Sequence, residues 1–286
     1  MKRTGVFLSY FVGERLKDFP QALYGILDKE NVFYFDAHYE LSDGLFYLDP
    51  ASEELVLKVH SEEMVRRIKM TGDYDAALYS AGGTVHAAEE IWQGNIDNAF
   101  VFTSFGDHHA GRNRFGGMCY LNGAAIAIAD LRDKGLNRFC IVDTDSHHAD
   151  GTRDIFAHDR DVLHVCFCSF DGYDKYNNVD VRVPYGISDE EYVAKMKAEF
   201  GARAREFKPE LIFWEFGYDA TRGEYGDKGV SLDCHHKLVS KIKQIADEVC
   251  EGRLIVILCG GSGRRVASYT IPRIIKRLAE LERDAV

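Results

Sequence analysis

Phe139-Cys140-Ile141-Val142-Asp143-Thr144-Asp145-Ser146-His147-His148-Ala149-Asp150-Gly151 changes character in its middle. An apolar run of strand length, β-branched and aromatic, gives way to a dense polar segment ending in Asp-Gly. The first half reads as a strand buried on both faces, the second as the polar load which that strand delivers at its carboxyl end. If extended geometry continues to 147, the side chains of Asp143, Asp145 and His147 point the same way. A carboxylate and an imidazole facing one cavity make half of a divalent-metal site, and an acid from a neighbouring strand would complete it.

The same alternation recurs along the chain. Ala99–Phe105, Val162–Cys168, Leu211–Tyr218 and Leu254–Cys259 are further strand candidates. Helical spacing is expected near 82–94, 122–134, 189–207, 232–250 and 268–282, the last carried by Ile271, Ile274, Ile275, Leu278 and Leu281. Strands alternating with helices predict an α/β fold, a mostly parallel sheet covered on both faces in three layers. Five prolines and no Ser/Gly-rich run leave no linker, so a single domain over 1–286 is expected. Such sheets work at their carboxyl edge, which directs attention to the strand exits.

Composition narrows the function class. Lys and Arg number 35 against 46 Asp and Glu, a formal charge of −11, which argues against a broad basic nucleic-acid surface. No apolar stretch reaches membrane-spanning length and no signal peptide is read at the start. The seven cysteines form no CxxC pair and mostly sit in apolar runs. They read as reduced thiols, and a cytoplasmic protein is expected.

Each exit carries chemistry. Gly106-Asp107-His108-His109-Ala110-Gly111 comes after the strand at 99–105, Gly217-Tyr218-Asp219 ends another, and Gly260-Gly261-Ser262-Gly263-Arg264 ends the last. Asp219 is the candidate third ligand beside Asp145 and His147. The tandem imidazoles of His108 and His109 could divide base and acid work, with Asp143 and Asp150 as carboxylate partners. His235-His236, on a helix away from any exit, reads as core. The Gly-rich turn nearly spells a serine-nucleophile elbow, but that fold needs its histidine after the serine, and His236 is the last one here. As a dinucleotide fingerprint the turn lacks a following strand with an acid.

Taken in order, these motifs resemble the zinc-dependent histone deacetylase family, which includes acetylpolyamine amidohydrolases and acetoin-utilisation-type proteins. The resemblance runs from Tyr79-Ser80-Ala81-Gly82-Gly83-Thr84 to the turn at 260–263. It takes in His108-His109-Ala110, Gly117-Met118-Cys119-Tyr120-Leu121-Asn122, the run at 143–151, Pro184, Asp189-Glu190-Glu191-Tyr192 and Gly217-x-Asp219. It implies the arginase/deacetylase fold and a metal-dependent deacetylase that releases acetate and a free amine from a peptide or small-molecule acyl-amine. It implies Asp145, His147 and Asp219 as ligands of Zn2+, with Fe2+ the other metal considered. His108 becomes the general base oriented by Asp143, and His109 the acid oriented by Asp150. Gly117 and Met118 fall where the family lines its acyl tunnel with Gly-Phe. Arg264 stands where the family presents an oxyanion-donating Tyr. Cys166 stands in place of a Ser that helps hold a structural potassium ion. The first 70 residues echo the family only faintly, and oligomeric state is left open. Two other functions remain: a C–N hydrolase of an anionic amide gripped by Arg264, or a metal-retaining protein that binds acyl-amines without turnover.

Overall fold

A computed structural model describes residues 1–8, 22–36 and 46–282; side chains at 46 and 47 lie outside the description. In chain order the elements are β1 (Thr4–Leu8), β2 (Val32–Asp36), β3 (Phe46–Tyr47), α1 (Glu53–Leu57), α2 (Glu62–Lys69), α3 (Tyr74–Trp92), β4 (Asn98–Phe102), α4 (Gly123–Asp133) and β5 (Phe139–Asp143). After α5 (Asp150–Ile155) come β6 (Val162–Cys168), β7 (Gly172–Tyr173), β8 (Asn178–Arg182), α6 (Asp189–Lys195), a π-helical turn (Met196–Gly201), α7 (Ala202–Phe207), β9 (Leu211–Phe216), α8 (Cys234–Cys250), β10 (Leu254–Leu258) and α9 (Arg264–Leu278).

The ten described strands form one sheet in the order β3-β2-β1-β4-β10-β9-β5-β6-β8-β7. Every pair is parallel except β7 with β8. Because successive side chains on a strand point to opposite faces, the sheet divides two cores. Val142, Trp214 and Val256 face the layer of α8 and α9, while Ile141, Phe213 and Ile257 face the layer of α2, α3 and α4. These strands are buried throughout, as their unbroken apolar runs require. The result is the expected three-layer α/β sandwich.

Local chemistry sets the helix starts. Asn122 caps α4 by accepting the Ala125 N–H at 2.8 Å, and Ser188 with Glu191 closes a capping box on α6. Expected elements and observed ones differ mainly at their ends. The helix expected at 82–94 begins at Tyr74, and the one expected at 268–282 begins at Arg264, directly on the Gly-rich turn, with Pro272 inside it. The helix expected over 189–207 is continuous but passes through the π turn. Strands β1, β2, β3, β7 and β8 and the short α1, α2 and α5 are additions to the elements expected from sequence.

One consequence positions the site. The strand exits rich in His, Asp and Gly belong to β4, β10, β9 and β5, which are four adjacent strands of the sheet. Residues scattered from 105 to 261 therefore meet at one carboxyl edge. Among the described residues, no helix is long and apolar enough to cross a membrane.

A candidate metal centre and its histidine pairs

The exit of β5 turns sharply at Asp143–His147. Asp143 Oδ1 accepts the Asp145 N–H at 2.8 Å and Asp145 Oδ1 accepts the His147 N–H at 2.9 Å, so each acid folds the backbone around itself. Trp214 on β9 donates its indole N–H to Thr144 Oγ1 at 2.8 Å, tying this turn to the neighbouring strand. His147 Nδ1 lies 2.8 Å from Asp145 Oδ1 and 3.0 Å from Asp219 Oδ2. One ligand atom from each of Asp145, His147 and Asp219 falls within 4.8 Å of the others.

Two carboxylates and an imidazole this close, with both acids fully buried, call for a cation between them. The His147 pKa is pushed up to about 10 by its hydrogen bonds to Asp145 and Asp219. Burial opposes the charge on Asp145, but His108 and His147 outweigh it and hold its carboxyl down at about 2. Asp219 is displaced upward by burial and by the Asp145 charge. The surrounding backbone is cut back to admit this cluster. A Cβ on Gly260 would lie 2.0 Å from Asp145 Oδ2, and one on Gly217 would lie 2.5 Å from the same atom and 2.7 Å from Asp219 Oδ1. The donor set and the glycine cradle fit a divalent ion with open positions.

Above this cluster a cavity of about 510 Å³ opens to solvent, lined by His108, His109, Gly117, Met118, His147 and Tyr225 among others. His108, almost fully buried, sets its Nδ1 2.7 Å from Asp143 Oδ2 and its Nε2 3.8 Å from Asp145 Oδ1. Burial opposes a charge there, yet those two acids hold its pKa well above the ordinary histidine value. His109 Nδ1 is 2.6 Å from Asp150 Oδ1, but the other oxygen of Asp150 is engaged by Arg114 at 2.7 Å. Burial and the neighbouring His108 lower the His109 pKa despite Asp150.

Gly117 and Met118 form the wall beside His109. Both have left-handed backbone, φ 56° and 63°, in a turn closed by the Cys119 N–H to the Gly116 carbonyl at 2.8 Å. A Cβ at 117 would strike His109 Cδ2 at 2.5 Å, so glycine is required there. Met118 stands 65% exposed at the cavity rim.

Arg264 differs from its expected place. As the first residue of α9 its side chain is exposed, and it is not among the cavity-lining residues. The phenol on the cavity wall is Tyr225, which sequence reasoning missed. It comes from the loop after β9, stacks on His147 with ring centroids 5.6 Å apart, and accepts the Gly261 N–H on its hydroxyl at 2.9 Å. Glu224 beside it accepts the N–H groups of Ser262 and Gly263 at 3.0 and 3.1 Å, locking the Tyr225 loop to the Gly-rich turn. The available signal was Gly223-Glu224-Tyr225-Gly226, a glycine-flanked phenol six residues after a ligand candidate. His235, read as core, is buried and shares a 2.8 Å hydrogen bond with Thr221.

Comparison with known proteins agrees with this geometry. Residues 70–278 match the histone deacetylase domain. A probable deacetylase of Archaeoglobus fulgidus is 31% identical over 281 residues, covering 86% of this chain and 77% of that protein. A histone deacetylase-like amidohydrolase of Pseudomonas aeruginosa is 25% identical over 262 residues, 80% of this chain and 69% of its own. Histone deacetylase 15 of Arabidopsis thaliana is 29% identical over 71% of this chain, a match spanning 39% of that longer protein. The crystal structure of the HDA15 HD domain superposes with a TM-score of 0.78 at 23% identity, covering 93% of this chain and 83% of that one, and shows the same fold. The domain match spans α3 to α9 and so contains all four strand exits, and the chain belongs to the histone deacetylase family of deacetylases and amidohydrolases.

Proposed function

We propose that the protein hydrolyses an acetyl-amine, of the acetyl-lysine or acetylpolyamine type, to acetate and the free amine. The observation that carries this is the convergence, in one cavity, of the Asp145–His147–Asp219 triad with two histidine–carboxylate pairs. Asp145, His147 and Asp219 would hold a divalent ion, Zn2+ or Fe2+. Such an ion supplies Lewis acidity toward an amide carbonyl and makes water a competent nucleophile near neutral pH.

The protein's own groups divide the proton work, and their partners alter the division expected from sequence. His108 is held through Nδ1 by the buried Asp143 carboxylate, which favours its charged form at the cavity floor. His109 shares its single carboxylate with Arg114 and stands partly open to the cavity. It is the imidazole free to take a proton from the attacking water and return it to the departing amine. Asp150 holds it through Nδ1, which aims Nε2 away from that bond. Tyr225 donates a hydrogen bond from its hydroxyl to the developing oxyanion, the role the family gives to the Tyr at whose position Arg264 stands. Gly117 and Met118 would line the path of the acyl-amine chain.

The reading is tested by acetate release from acetyl-lysine peptides and acetylpolyamines with metal-loaded protein. Turnover of either class supports it. Binding of these amides without acetate release, across both classes, assigns the protein a ligand-binding role instead.

A further inference from the structure

Behind the segment that carries His147 lies a second cluster with ligand chemistry of its own. Cys166 and Cys168 stand two apart on β6, so their thiols share one face. Asp180 on β8 is the register partner of Cys166, and His148 reaches over from the loop after β5. One atom from each of the four falls within 4.8 Å of the others. Both cysteines are buried and free, and Asp180 is 9% exposed.

The spacings fit a coordination shell as well as a hydrogen-bond network. A tetrahedral ion with sulfur at about 2.3 Å and nitrogen or oxygen at about 2.0–2.1 Å has edges of about 3.6 Å from S to N and about 3.3 Å from N to O. Cys168 Sγ lies 3.6 Å from His148 Nδ1, and His148 Nδ1 lies 3.3 Å from Asp180 Oδ1. Cys166 Sγ accepts the Ala149 N–H at 3.4 Å, which orients it on the same segment. Asp180 Oδ1 is buried yet makes no aligned hydrogen bond, although its partner oxygen is fixed by Arg153 at 2.8 Å. A buried carboxylate oxygen whose nearest donor is an unaligned imidazole nitrogen, in a pocket that also holds two thiols, suits a cation.

We propose that His148, Cys166, Cys168 and Asp180 form a second metal site, closed and tetrahedral, for a thiophilic divalent ion such as Zn2+. Two sulfur donors select a soft ion over potassium or magnesium. Four protein ligands leave no open position, so the role is structural. The ion would join β6, β8 and the loop after β5 from the side opposite the cavity, bracing the backbone on which His147 sits. Arg153 is the outer-shell partner that orients Asp180.

The test reads metal, not activity, and so stands apart from the proposed reaction. Protein prepared under reducing conditions is loaded with Co2+, and thiolate-to-cobalt charge transfer is followed in the near ultraviolet beside elemental analysis. Wild type and Asp219→Ala are both expected to show the charge-transfer band. The paired Cys166→Ser, Cys168→Ser variant is expected to lose the band and one ion per chain. Asp180→Asn keeps both thiols and is expected to bind Co2+ at least about tenfold more weakly in chelator competition. Absence of the band in Asp219→Ala, or its persistence in the double serine variant, would overturn the assignment. If Asp219→Ala loses no ion while the band stands, the catalytic triad fails and this site does not.

Discussion

His60 gives the sharpest quantitative expectation. It is buried where the histidine-bearing loop turns back, its Nδ1 2.8 Å from the Gly111 carbonyl and its Nε2 3.1 Å from the Asn122 N–H. Those partners fix the tautomer: Nδ1 donates to the carbonyl and Nε2 accepts from the amide. A proton added at Nε2 would face a donor and charge a buried ring, so burial lowers the pKa to about 4. Between pH 6.5 and about 4 the unfolded chain binds a proton here that the folded chain refuses. Stability from this group is therefore complete above 6.5 and falls as pH drops to about 4. At about 1.4 kcal/mol per pH unit the interval is worth about 3 kcal/mol. Asp107, which burial pushes up to about 7, runs in the opposite sense, so wild type alone would mix the two. The comparison is wild type against His60→Gln, by urea unfolding monitored by circular dichroism from about pH 7.5 to about 4. Gln cannot be protonated, and the stability gap should move by about 3 kcal/mol in favour of the variant as pH falls. A gap constant across the range would refute the neutral, doubly bonded imidazole.

Three substitutions in and beside the cavity have expected outcomes of their own. Tyr225→Phe is expected to lower kcat by roughly 100- to 1,000-fold with KM little changed, the typical cost of one oxyanion donor, while Arg264→Ala stays within a few-fold of wild type; steady-state kinetics giving the reverse order would return that role to Arg264. Gly260→Ala drives a Cβ to 2.0 Å from Asp145 Oδ2 and is expected to cost metal affinity while circular dichroism stays native, so full metal occupancy in this variant would refute the cradle.

The parts legible in the sequence were those written as abrupt changes of polarity. Phe139–Val142 and Leu254–Leu258 are unbroken apolar runs, and the segments immediately after them, Asp143–Gly151 and Gly260–Arg264, are too polar to be core, so strand and exit could both be marked. The sheet order then made those exits neighbours, a fact no local pattern contains. Strands β1 and β2 stayed hidden because Thr4, Gly5 and Asp36 interrupt their apolar runs. Strand β8 was missed for a different reason. Asn178 bonds the Phe156 carbonyl and Asp180 bonds Arg153, so its pattern is not that of a packed strand. The thiols show the same limit. All seven are free and buried, as expected, but the meeting of Cys166 and Cys168 with Asp180 depends on the β6–β8 register. Tyr225 lies in a loop with no periodicity. Its role rests on the stacking against His147 and the clamp of Glu224 on the Gly-rich turn, both contacts between segments far apart in sequence.

Metal content and acetate release, measured together on wild type and Asp219→Ala, test the central claim most directly. Wild type should bind the ion and release acetate from an acetyl-lysine or acetylpolyamine substrate. Asp219→Ala should lose one ion per chain and the activity with it, since two remaining ligands make a poor site. Unchanged metal content in Asp219→Ala, or acetate release that survives loss of the ion, would contradict the assignment of Asp145, His147 and Asp219.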